Sequence, residues 1–243
     1  MRKIFIILML SVFSIVTAHP FKSEKELYEY YAEIDKKIFT EKNKPIIRKK
    51  YPRKLTDKEL EQEQIPFSLK RYTVDEIVGN NKLVYNAFNY QLMSISQINE
   101  NNKEEGVIRI FDEDENLISI AYIENSKGVM GIYREYYPWG VLKNETPYYT
   151  SEINGKLKNY YPDGLLKEEY TYYNNKKEGL ATMYYESGQK FAIENYKNDL
   201  KNGDYYMYYE NGNLGMKAFF VNGKREGTIE FYEEDGKKIE KNK

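Results

Sequence analysis

Residues 203–227 read GDYYMYYENGNLGMKAFFVNGKREG, and 24 residues earlier the same skeleton stands as GLATMYYESGQKFAIENYKNDLKNG, from Gly179 to Gly203. Four columns hold that spacing. Gly131, Gly155, Gly179, Gly203 and Gly227 form one, and Gly140, Gly164, Gly188, Gly212 and Gly236 a second. Tyr136, Tyr160, Tyr184, Tyr208 and Tyr232 form a third, and Tyr148, Tyr172, Tyr196 and Phe220 a fourth. A fixed period of this size is the mark of a repeat array.

Within each unit an aromatic pair runs into a turn, as in Pro162-Asp163-Gly164 or Glu210-Asn211-Gly212. Glycine at the closing position supplies the positive φ of a tight turn. A second short run ends in an aromatic residue and meets Asn174-Asn175, Asn198-Asp199 or Asn222-Gly223, a strong hairpin signal. Each unit therefore reads as two short strands, which suits its aromatic and β-branched residues. The recurring glycines would interrupt a helix. Alternation places Tyr205, Met207 and Tyr209 on one side, matched by Ala181, Met183 and Tyr185. Tyr206 and Tyr208, matched by Thr182 and Tyr184, fall on a more polar side. The expected fold is mainly β: an extended single-layer antiparallel meander of stacked hairpins, with a helical segment at the amino-terminal end.

The pattern G-x4-Y-Y-x-x-G-x-L, then an aromatic residue and N-G-K-x-E-G, resembles the MORN repeat in the variant form common in bacterial proteins. The resemblance is closest over Gly179–Gly203 and Gly203–Gly227 and extends over residues 106–243. Lys190 and Lys238 depart from it where Leu142, Leu166 and Leu214 keep the leucine. It implies protein–protein contact, or binding to lipid or a membrane surface. Some bacterial relatives are described as antitoxin-type proteins. Related arrays accompany lipid-kinase domains, but this sequence carries no kinase motif or glycine-rich phosphate loop.

Ahead of the array, residues 1–18 join Arg2 and Lys3 to an apolar run and Val16-Thr17-Ala18, which reads as a secretory signal cleaved after Ala18. The alternative is an uncleaved anchor, for which the run is short. The expectation is export to the periplasm, cell surface or medium. With no cysteine in the chain, neither lipid attachment at cysteine nor disulfides are available.

Residues 19–65 read as a helical and basic segment. Leu27, Tyr31, Ile34 and Ile38 keep helical spacing, with Tyr30 and Phe39 beside them. That stripe suits packing against the sheet, or else a membrane surface or partner helix. The run at 42–54 holds Lys42, Lys44, Arg48, Lys49, Lys50, Arg53 and Lys54 without an acid. It reads as a solvated linker or as a contact for anionic lipid head groups. Thr56-Asp57-Lys58-Glu59 is a capping box opening a short helix. Residues 66–105 read as degenerate leading strands turning at Gly79-Asn80-Asn81, and residues 106–243 as the array.

Chemistry finds little foothold. Lys+Arg 37 against Asp+Glu 38 argues against a nucleic-acid partner. His19 is the only histidine, so Ser-His triads, thiol catalysis and His/Cys zinc sites lack their residues. Asp112–Asn116 resembles the start of a calcium loop, but Leu117 and Ile123 stand where glycine and glutamate are needed. There Asn116 aligns with the turn glycine of later units. Carboxylates are plentiful, yet no pair stands apart from the repeat as a glycosidase pair would. No catalytic residue, metal or cofactor is expected. The candidate binding surface is the column Tyr136, Tyr160, Tyr184, Tyr208 and Tyr232, for an unidentified protein partner. The alternative is an envelope-surface module for anionic lipid or, through stacking tyrosines, glycans.

Overall fold

The computed structural model describes residues 21, 23–39, 73–86, 92–112, 114–124 and 127–240. The signal segment, the basic run and the capping box at 56–59 lie outside the described residues. The chain divides into two compact bodies, one of residues 34–151 and 162–164, the other of residues up to 33, 152–161 and 165–243. We call them the leading body and the periodic body.

Seven strands are described in the leading body. They are β1 (Thr73–Val78), β2 (Asn81–Asn86), β3 (Leu92–Ile98), β4 (Glu104–Phe111), β5 (Leu117–Glu124), β6 (Gly128–Tyr136) and β7 (Leu142–Tyr149). Each pairs antiparallel with the next in chain order. The periodic body holds β8 (Glu152–Ile153), β9 (Gly155–Tyr160), β10 (Leu166–Tyr173), β11 (Lys176–Tyr184) and β12 (Lys190–Lys197). It continues with β13 (Leu200–Lys201), β14 (Gly203–Tyr208), β15 (Leu214–Val221) and β16 (Lys224–Phe231). Its main strands again pair antiparallel in order, β9 to β10, β11, β12, β14, β15 and β16. Both bodies are the hairpin meander that the alternating pattern predicts.

The turns explain the columns. Both glycine columns sit at positive φ, between 70° at Gly227 and 121° at Gly203. The second turn of each unit carries two successive residues at positive φ: Thr150 and Ser151, Asn174 and Asn175, Asn198 and Asp199, Asn222 and Gly223. Two left-handed central residues define the hairpin turn that matches strand twist. One alignment is corrected by a residue. The left-handed position in the first, weak unit is Glu115, at φ 61°, and not Asn116. Asp112 organises this turn, its carboxylate accepting the backbone N–H of Asp114 at 3.0 Å and of Asn116 at 2.8 Å. The acidic run is thus spent on a hairpin.

One helix is described, α1 (Glu24–Phe39). Ser23 caps it, its hydroxyl accepting the Glu26 N–H at 3.2 Å. The spacing read from the sequence is the buried stripe: Leu27 is 7% exposed, Tyr31 1%, Ile34 1% and Ile38 0%. In the periodic body, the Tyr31 hydroxyl donates to the Asn154 carbonyl at 2.7 Å, and the Tyr28 hydroxyl accepts the Lys156 N–H at 2.8 Å. In the leading body, Ile34 lies over Gly131. A Cβ there would stand 2.5 Å from the Ile34 side chain, so the glycine serves both backbone and packing.

That leading body has an aliphatic interior. Leu83, Tyr85, Ile95, Val107, Ile120 and Met130 are all buried. Arg109 lies directly opposite Ile95 and Ile120, and donates to the Ile38 carbonyl at 3.2 Å. Arg134 makes a two-pronged pair with Asp35, at 2.8 and 2.7 Å, and reaches Glu145 at 3.1 Å. Burial works against its charge, but the Asp35 and Glu145 carboxylates outweigh that and hold the guanidinium above its ordinary pKa.

Candidate binding surface

The proposed tyrosine column is held at strand ends. Tyr136, Tyr160, Tyr184 and Tyr208 lie opposite Leu142, Leu166, Lys190 and Leu214, each beside an irregularity in the ladder. All five tyrosines, Tyr232 included, are half-buried. Burial raises the phenol pKa of Tyr136 and Tyr184, so both rings carry neutral hydroxyls well above neutral pH.

The second tyrosine of each pair does something the sequence reading did not assign. The Tyr161 hydroxyl donates to the Tyr184 carbonyl at 2.7 Å, Tyr185 to Tyr208 at 2.8 Å, and Tyr209 to Tyr232 at 2.8 Å. A second tie runs through the turns. Asn175 donates its N–H to the Ile153 carbonyl, and its side-chain oxygen accepts the Ile153 N–H at 2.7 Å. Asp199 repeats both bonds with Lys177, and Ser151 with Val129. Gly223 keeps the backbone half of the pattern, to Lys201. Each repeat is therefore fastened to its neighbour by hydrogen bonds recurring at the repeat period. The signal was present in the sequence as the doubled tyrosine and the polar second turn.

The fourth aromatic column lies on the side of Ala181, Ala192 and Ala218, which are buried. Tyr170 and Tyr196 meet edge to face at 6.3 Å, and Tyr205 and Phe220 at 6.0 Å. Lys177 Nζ sits 3.7 Å from the Tyr170 ring centre and 5.0 Å from that of Tyr196. Lys201, one period on, sits 4.8 Å from Tyr205 and pairs with Glu194 at 2.6 Å. The Tyr196 hydroxyl donates to Glu194, and that of Tyr170 to Glu168. Burial, and then these carboxylates, push both phenols well up. This side is an internally satisfied ladder of aromatic, cation and acid.

The other side of β11 to β15 is more open. Leu180 is 51% exposed and Phe219 45% exposed on this side. Thr182, Ile193, Tyr206 and Lys217 form a directly paired row across it. Among the described residues no group of acids and histidines could hold a metal ion. Nor is any described helix long and apolar enough to cross a membrane.

Comparison with known families places the MORN repeat variant on residues 153–175, 177–198 and 201–222. Residues 153–222 hold three consecutive MORN-variant repeats. The matched segments start two residues ahead of Gly155, Gly179 and Gly203, in the register of the glycine-to-glycine reading. No curated relative matches the chain. Among solved structures, TarM aligns at 11% identity and a TM-score of 0.20, over 82% of this chain and 26% of that one. A point mutant of S. aureus TarM, in complex with Fondaparinux, alpha-GlcNAc-glycerol and UDP, aligns at 12% identity and a TM-score of 0.17, over 82% and 27%. The chain spans about a quarter of those proteins' length, and likenesses this weak carry no argument about the MORN array.

Proposed function

We propose that the protein is an exported, non-enzymatic scaffold whose MORN repeats bind another protein through the side carrying Tyr160, Tyr184 and Tyr208. MORN repeats mediate binding to proteins or membrane lipids. The observation that carries the reading is the contrast between the two sides of β11 to β15. One side satisfies its own aromatic, cationic and acidic groups. The other carries a periodic column of half-buried tyrosines at its strand ends and leaves Leu180 and Phe219 exposed further along the strands. Tyrosine gives large contact area with a polar tip at low entropic cost, which suits an interface.

Replacing Tyr160, Tyr184 and Tyr208 by serine removes the rings but leaves the carbonyls that Tyr161, Tyr185 and Tyr209 address. The folded triple variant is expected to lose capture of one defined protein that the wild type recovers from envelope extract. Equal capture by both would reject this surface. Export is tested by the amino-terminal sequence of the mature protein, expected to begin at His19. A second reading rests on the basic run Lys42 to Lys54, which would address anionic lipid. Binding to phosphatidylglycerol vesicles that collapses with rising salt would support it.

A further inference from the structure

Position 139 breaks the repeat. At the equivalent turn position the other units carry Asp163, Ser187, Asn211 and Asp235, all polar. Here stands Trp139, the chain's single tryptophan, 60% exposed. A large apolar ring contributes little to folding when left in water. It is nonetheless held rigidly. Tyr137 stacks on it with ring centres 4.9 Å apart and planes 5° from parallel. Its indole N–H donates to the Pro162 carbonyl at 3.1 Å.

The ring borders a shallow hollow of about 400 Å³ lined by Asn116, Leu117, Tyr136, Pro138 and Gly140. Nothing lies within 4 Å of where a Gly140 side chain would begin, so the turn leaves room above its backbone. The lining holds no lysine, arginine, aspartate or glutamate. An anion would find no counter-charge in this lining, and the Asp112 carboxylate that touches Asn116 already accepts three hydrogen bonds. The occupant must be neutral, with a flat apolar face and a polar rim.

We infer that Trp139 is a stacking platform for one pyranose ring of a neutral glycan. The C–H face of the sugar lies on the indole, and its hydroxyls turn toward water and the Asn116 side chain. A proline-rich segment fits less well, because such peptides dock between aromatic rings standing apart. Here Tyr137 and Trp139 are stacked on each other, which leaves one broad face in place of two rails. The stack and the indole hydrogen bond fix the ring before binding, so little order is lost on association. The inference does not rest on the protein-scaffold reading: Tyr136 of the tyrosine column lines the hollow, but the ring that carries the inference is Trp139, outside Tyr160, Tyr184 and Tyr208.

With one tryptophan in the chain, indole emission excited beyond the tyrosine absorption band reports this position alone. Titration of the full chain with cellotetraose, maltotetraose and the tetramer of N-acetylglucosamine is expected to give a saturable emission change with at least one. In calorimetry Trp139→Asp, which installs the residue type of the 163 and 235 turns, is expected to keep the wild-type melt and bind that sugar at least about tenfold more weakly. Trp139→Phe, which keeps a flat ring, should fall between the two. Emission unmoved by all three sugars would overturn the inference. So would a change produced by oligoproline and by none of them, or undiminished sugar binding by folded Trp139→Asp.

Discussion

The leading and periodic bodies share a topology and are stabilised by different means. In the leading body Leu83, Tyr85, Ile95, Ile98, Val107, Ile120 and Met130 of the sheet are buried, and so are Ile34 and Ile38 of the helix. In β10 to β16 the buried apolar side chains are three alanines. There the recurring ties are hydrogen bonds from tyrosine hydroxyls and turn residues to the next repeat's backbone. A region with little interior to fill can repeat faithfully, because each unit need satisfy only its neighbours. A region packed under a helix must fit one particular partner, and its period blurs accordingly.

Substitutions should separate the two modes. Ile38→Ala removes a fully buried side chain from the leading body and is expected to cost about 3 kcal/mol in urea denaturation. Asp35→Ala leaves Arg134 short of its two-pronged partner and is expected to cost about 2–3 kcal/mol, with Glu145 retaining part of the charge balance. A cost near zero would show that the pair is not a structural tie.

Much of this was legible in advance, and unevenly so. The columns announced the hairpins because glycine and paired asparagines report backbone conformation directly. Leu27, Tyr31, Ile34 and Ile38 announced the helix face, since helical spacing is local. The role of Tyr161, Tyr185 and Tyr209 was not read, because their hydroxyls act on residues 23 positions away. The turn at Glu115 was misaligned by one residue, because no glycine marked it. Nothing local in the sequence marks the stacking of Tyr137 on Trp139 or the hollow beside it, which depend on how the turn folds.

Smaller effects sharpen the contrast in the periodic body. Tyr185→Phe deletes one inter-repeat hydrogen bond and is expected to cost about 1 kcal/mol. Alkaline titration tests the same region. Tyr170 and Tyr196 have raised folded pKa values against an ordinary 10.0, so the protonated phenols favour the fold fully below pH 10. That stability is lost as pH climbs above 10, where the unfolded chain ionises first. Far-ultraviolet dichroism and phenolate absorbance should therefore change together for a late-titrating class of tyrosines. Smallest of all, Thr150→Gly should stabilise by roughly 0.5–1 kcal/mol, because threonine is strained at its φ of 52°.

The most direct measurement is the removal of one whole period. Deleting residues 179–202 joins Glu178 to Gly203, so that Gly223 falls where Asp199 stood beside Lys177. The shortened chain is expected to give a β-sheet dichroism spectrum and a single cooperative melt, whereas deleting 179–198 should weaken the β-sheet signal and break up the single melt. An unfolded product from the in-register deletion, or equal tolerance of the two, would contradict an array fastened repeat to repeat.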